Sequence, residues 1–231
     1  MLKKPHLKQV LIKLKAKSRP DQLAGMARFG ISGEGRLGVA VPELRKLAKE
    51  IGKDHQLAIK LWQTKIPDAM ILASMIDGPA EVTERQMELW VKDFNSWDVC
   101  DQVCMNLFDR TPFVFKKIRE WASRKEEFVK RAAFTLIACV AWHDKDLPDK
   151  NFVGLLPIIK KAANDERNFV KKAVNWALRH IGKRNMHLNR IALKAAREIR
   201  SMESKTARWI AADAIRELAS KAVQRRLAQK I

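Results

Sequence analysis

One segment of this chain is written twice. Residues 127–144 read EFVKRAAFTLIACVAWHD and residues 168–185 read NFVKKAVNWALRHIGKRN. Phe128-Val129-Lys130-Arg131-Ala132 superimposes on Phe169-Val170-Lys171-Lys172-Ala173 at an offset of 41 residues, and Ala177-Leu178-Arg179 is echoed more weakly by Ala214-Ile215-Arg216 at an offset of 37. Apolar residues recur at helical spacing, and two-residue alternation is nearly absent. Periods of about 40 residues with two helices each are those of HEAT-like arrays. The pattern predicts an all-α chain of HEAT-like helical repeats, stacked into a curved solenoid with a basic concave face. One domain is expected over residues 1–231.

Turn and capping residues divide the helices. Breaks are expected at Ser18-Arg19-Pro20, Gly52-Lys53-Asp54, Ile66-Pro67-Asp68, Asp77-Gly78-Pro79, Asn95-Ser96 and Thr111-Pro112. Further breaks are expected at Asp144 to Asp149, Asn164-Asp165 and Arg184-Asn185. The loop from Gly30 to Gly38, GISGEGRLG, has neither P-loop spacing nor its Lys-Ser/Thr ending, and reads as a hinge or a nucleic-acid-facing loop. Leu7, Val10, Leu11 and Leu14 make an apolar stripe suited to a first packed helix, which favours that reading of the basic N-terminus over a transit peptide. No apolar run is long enough to span a bilayer.

Charge limits the partners. The formal net charge is +20, with 46 basic and 26 acidic residues. The excess is uneven: residues 1–110 carry 18 basic and 14 acidic side chains, residues 111–231 carry 28 and 12. Self-repulsion on that scale is relieved by a polyanion, and nucleic acid is the usual one. Cys100, Cys104 and Cys139 are too few for a disulfide framework or a four-cysteine zinc site, and read as core residues of a cytoplasmic protein. The five histidines show no metal-ligand spacing, so no metal is expected.

Three places depart from simple helix packing. In Asn95-Ser96-Trp97-Asp98-Val99-Cys100-Asp101, Asn95 suits an N-cap and Asp98 the third helical position, where a carboxylate satisfies free amides. Asp101 instead shares an apolar stripe with Trp97, Cys104 and Phe108, so it is paired, solvated at a cleft or chemically used. Arg131 sits at the edge of a core stripe of Phe128, Ala132, Leu136 and Cys139, where it can grip phosphate, hold Asp101 or face solvent. Trp176 points away from Val170, Ala173, Val174 and Ala177 and shares a stripe with Lys172, Arg179 and Lys183. Aromatics among cations suit nucleic acid; packing under a neighbouring helix is the other reading. Trp62, Trp90, Trp121, Trp142 and Trp209 are expected in the core.

These motifs, together with the opening pattern GVAVPELRKLAKEI, resemble the AlkD-type DNA alkylation repair family of HEAT-like DNA glycosylases. The likeness spans nearly the whole chain. It implies excision of cationic N3- or N7-alkylpurines from double-stranded DNA, without a cofactor. In that family a Trp-x-x-x-Asp pair, an Arg and a second Trp surround the lesion, which implies catalytic roles for Trp97 with Asp101, Arg131 and Trp176. Lys130, Lys171, Lys172, Arg179 and Lys183 would hold the backbone. The family's cleft-wall tyrosine has no counterpart in a chain without Tyr, and Phe29 is taken as its equivalent. The protein is expected to act as a monomer near the nucleoid, with no membrane or obligate protein partner. A non-catalytic nucleic-acid-binding scaffold, a protein-interaction scaffold and a membrane-surface role are the competing readings.

Overall fold

The computed structural model describes residues 5–229. Those residues are all-α, with no strand among them, and they divide into two compact units, residues 5–112 and 113–229. The division falls where the charge changes, because Thr111 and Pro112 are uncharged. No helix among the described residues is long and apolar enough to cross a membrane.

The first unit contains α1 (Leu7–Ala16), a 3-10 turn (Pro20–Gln22), α2 (Leu23–Ala27), α3 (Val41–Ile51), α4 (His55–Gln63), α5 (Pro67–Ile76), α6 (Glu84–Lys92) and α7 (Trp97–Asn106), followed by a second 3-10 turn (Phe108–Arg110). The α1 stripe packs as expected, with Val10 and Leu14 fully buried. Helix α5 is the hub, contacting α3, α4 and α7. Nine of its ten residues are buried, which accounts for its lack of a polar face. Trp62 of α4 and Trp90 of α6 stack at 3.9 Å.

The second unit contains α8 (Val114–Ala122), α9 (Glu127–His143), α10 (Asp149–Val153), α11 (Leu156–Ala162), α12 (Asn168–Gly182), α13 (Met186–Arg200), α14 (Lys205–Leu218) and α15 (Lys221–Ala228). The repeat seen in sequence is α9 and α12, which pack on each other. Phe128 and Phe169, the residues that superimpose in the repeat, meet with ring centroids 5.5 Å apart. Gly182 lets α12 approach its neighbours: a Cβ there would lie 2.6 Å from Leu218 Cδ1.

Asp54, Thr83 and Asn185 cap α4, α6 and α13 by accepting from the amides of Leu57, Gln86 and Leu188. Breaks at 123–126, 201–204 and 219–220 were not anticipated. Ser204 and Ser220 mark the last two, each accepting an amide three residues on.

Candidate nucleic-acid interface

The glycine-rich loop of the first unit is anchored at its C-terminal end. Asp68, near the start of α5, is 1% exposed and accepts from the amides of Leu37 and Val39, each at 2.7 Å. The Leu37 carbonyl in turn accepts from the Ser18 hydroxyl and the Arg19 amide. Gly38 has φ 76°, and a Cβ there would sit 2.5 Å from the Arg19 carbonyl oxygen, so only glycine fits. Just before these anchors Arg36 is buried and makes a bidentate pair with Asp98 at 2.7 and 3.0 Å, while its Nε donates to Ser32 O.

That pair corrects the reading of Asp98. The N-cap is Ser96, not Asn95, and Asp98 is the second helical residue. Its carboxylate is turned to Arg36 and to the Ser96 hydroxyl, not to helix amides. A loop 62 residues earlier in the chain is thereby fastened to the first turn of α7.

That first turn carries Trp97. Its indole Nε1 donates to the Phe29 carbonyl at 2.9 Å, so the ring is held by the loop's N-terminal end. Phe29 contributes its backbone there, while its side chain is 73% exposed. Asp101 follows one turn later and is 8% exposed, with Cys100, Val103 and Cys104 fully buried around it in sequence. A carboxylate is thus held out of bulk water beside a fixed indole.

The second unit holds the other expected residues. Arg131 is not at an edge. Helix α9 is buried continuously from Val129 to Ala141 apart from Lys130, and Arg131 is 6% exposed, its Nη1 donating to Phe169 O of α12 at 2.6 Å. Lys130 pairs with Asp165 at 2.8 Å, and Lys130 and Arg167 together hold that carboxyl well below the usual carboxylate range.

Trp176 is half-buried on α12 and meets His180 edge-on at 5.6 Å. Its cationic stripe is largely compensated by α14. Lys171 lies over the Trp209 ring at 5.3 Å, Asn175 donates to Asp213 at 2.6 Å, and Lys183 pairs with Glu217 at 2.7 Å. Arg179 pairs with both Asp213 and Glu217. Lys172 remains exposed on this helix. The structure therefore brings Phe29, Trp97 and Asp101 together in one unit, and gathers Arg131, Trp176 and the five expected cations in the other.

Two sets of residues escaped the sequence reading. Trp142 and Trp209, expected in the core, are 48% and 43% exposed, whereas Trp62, Trp90 and Trp121 are buried as expected. On α13, Arg190, Lys194 and Arg197 form an exposed row at helical spacing. That spacing was visible in the sequence and was the signal available. Folding also gathers His55, Asp77 and Glu81, whose potential ligand atoms lie within 4.8 Å of one another. Asp77 is already engaged there: Oδ1 with His55 Nδ1 and the Gly78 amide, Oδ2 with Gln86 Nε2.

Comparison with known proteins agrees with this architecture. A solved structure described as "A new family of proteins related to the HEAT-like repeat DNA glycosylases with affinity for branched DNA structures" superimposes with a TM-score of 0.77 at 18% identity, covering 92% of this chain and 95% of that one. The likeness gives the fold: HEAT-like helical repeats. A designed armadillo repeat protein in complex with a (KR)4 peptide reaches a TM-score of 0.35 at 17% identity, over 80% of this chain and 79% of its own, too low to speak to the fold. No curated protein matches the chain. Residues 10–218 match the family described as DNA alkylation repair enzyme, and the chain belongs to that family.

Proposed function

We propose that the protein is a DNA glycosylase that hydrolyses the N-glycosidic bond of cationic alkylated purines, of the N3-methyladenine and N7-methylguanine type, in duplex DNA. The observation that carries this reading is Asp101: a carboxylate 8% exposed, one turn beyond an indole whose ring is fixed by the Phe29 carbonyl, in a member of this family.

The chemistry follows from the charge on the substrate. The alkylated purine is already cationic and needs no proton to leave. As the C1′–N bond stretches, its electron pair passes to the purine and positive charge develops on the deoxyribose. Asp101 stabilises that charge and orients a water whose oxygen bonds to C1′, the water's proton passing to the carboxylate or to solvent. The purine leaves neutral. Trp97 holds the cationic nucleotide by cation–π contact, contributing about 0.5–2 kcal/mol. Arg131, held on Phe169 O, binds a phosphate through its guanidinium. Lys171 and Lys172 contact the backbone directly, whereas Lys130, Arg179 and Lys183 do so only by sharing or leaving their carboxylate partners.

The second reading is a DNA-binding scaffold without chemistry, favoured by the structural neighbour described as having affinity for branched DNA structures. Incubation of the protein with duplex containing N7-methylguanine separates the two. Release of free N7-methylguanine together with an abasic strand supports the glycosylase. Salt-sensitive duplex binding with no released base supports the scaffold.

A further inference from the structure

The second unit carries an aromatic row that this mechanism does not use in full. Trp142 lies in the last turn of α9 and is the most exposed tryptophan among the described residues, at 48%. The helix before it is buried on nearly every side, so an open indole at its end is a departure from the packing around it. Its ring meets His143 at 4.7 Å and His180 at 6.4 Å, the latter edge-on. His180 also stands edge-on to Trp176, so Trp142, His180 and Trp176 form a continuous row.

The end of α9 beneath this row is tied down by hydrogen bonds. Arg184 fastens the end of α9 by donating to the carbonyls of Ala141, Asp144, Lys145 and Leu147 at 2.5–3.3 Å, with its guanidinium 4.1 Å from the Phe152 ring centroid. Lys145 donates to the Trp142 carbonyl, which ties the loop after α9 to its last turn. Burial, together with the nearby Lys183 and Arg179, lowers the His180 pKa to about 4, so the imidazole is neutral at physiological pH despite the Glu217 carboxylate nearby.

We infer that Trp142, backed by His180, is a stacking shelf for an unpaired nucleobase of DNA. A half-exposed indole on a fixed support offers a π face, and every base has a π face to place on it. A base inside an intact duplex keeps both faces covered by its neighbours, so the shelf selects bases that have left the stack. Charge favours DNA over an apolar protein surface as the occupant, because residues 111–231 carry 28 basic and 12 acidic side chains. The inference rests on the proposal that the protein binds DNA, and extends it to Trp142 of the second unit.

The test uses the full chain and two duplexes of one sequence, one fully paired and one with a single unpaired 2-aminopurine. Wild type should bind the bulged duplex more tightly and quench its 2-aminopurine fluorescence. Trp142→Ala should weaken bulged-duplex binding at least about fivefold, abolish the added quenching, and change paired-duplex binding less than about twofold. Trp142→Phe, which keeps a ring and the packing, should retain part of both signals. Unchanged bulge affinity and quenching in Trp142→Ala overturns the shelf. Equal losses on both duplexes also overturn it and make Trp142 a packing residue or a protein-binding one. Failure of wild type to bind either duplex at low salt overturns the DNA-binding reading itself, so the two failures remain distinct.

Discussion

The two units are both stacks of helices, yet they use charge in opposite ways. Residues 1–110 have 18 basic and 14 acidic side chains, and the polar groups that matter there are buried: Arg36 on Asp98, Asp68 on two amides, and Asp101 beside Trp97. Residues 111–231 have 28 and 12, and its acids are spent on partly buried pairs such as Asp165 with Lys130 and Glu217 with Lys183, leaving a cationic surplus that includes exposed Lys172, Arg190, Lys194 and Arg197. A buried charge is sensitive to geometry and can act on a reacting atom; exposed surplus charge acts on a polyanion from a distance and is screened by salt. On this account the first unit supplies the chemistry and the second supplies the affinity.

The largest effect on stability should fall in the first unit. Arg36→Ala removes one partner of a pair in which the arginine side chain is 3% exposed, and leaves the Asp98 charge without its guanidinium, held only by the Ser96 hydroxyl. A loss of about 3–5 kcal/mol is expected in urea unfolding. Arg179→Ala breaks pairs whose arginine is 28% exposed, and should cost under about 1 kcal/mol. Similar losses at the two sites would break the contrast between fully buried and partly exposed charge.

A smaller effect concerns pH. The folded-state pKa of His180 lies at about 4 against 6.5 for a free imidazole, so between those values the unfolded chain binds more protons and stability rises as pH rises and is lost as pH drops. The slope attributable to His180 is at most about 1.4 kcal/mol per pH unit. His180→Gln should reduce the pH dependence of unfolding in that window relative to wild type. An identical pH profile would show that the imidazole titrates freely and is not sheltered by the row.

The smallest effect sharpens the assignment of affinity. Lys172→Gln should reduce the salt slope of duplex binding by about one, whereas Arg179→Gln should reduce it by less, because Glu217 and Asp213 already compensate that guanidinium. Equal reductions would mean that Arg179 exchanges its carboxylates for phosphate on binding.

Much of this was legible in the sequence where its signal was local. Gly, Pro, Asp and Asn marked most helix ends, and the FVKRA and FVKKA segments proved to be packed neighbours whose phenylalanines touch. Ser204 and Ser220 were missed because a lone serine gives a weak cap signal without Gly or Pro beside it. The Arg36–Asp98 pair was not legible, since nothing local links residues 62 apart. The pairing of Arg179 with Glu217 was more accessible: its separation of 38 residues is close to the repeat period, and extending that period from apolar residues to charges would have found it. Trp142 was misread because α9 is apolar on nearly every face, and periodicity cannot show which side of such a helix is covered. Of the candidate site, Asp101 and Trp176 stood out as residues at odds with their stripes, and Trp97 was marked by the family resemblance. The anchoring of Trp97 by the Phe29 carbonyl depends on backbone position, which side-chain patterns do not encode.

The central claim is that a carboxylate of the less charged unit performs the chemistry. It is tested most directly by single-turnover excision of N7-methylguanine at saturating protein, Asp101→Asn beside wild type, with duplex affinity measured on the same preparations. The account predicts a rate lower by about 100- to 1000-fold with affinity changed less than about twofold. An unchanged excision rate would contradict it.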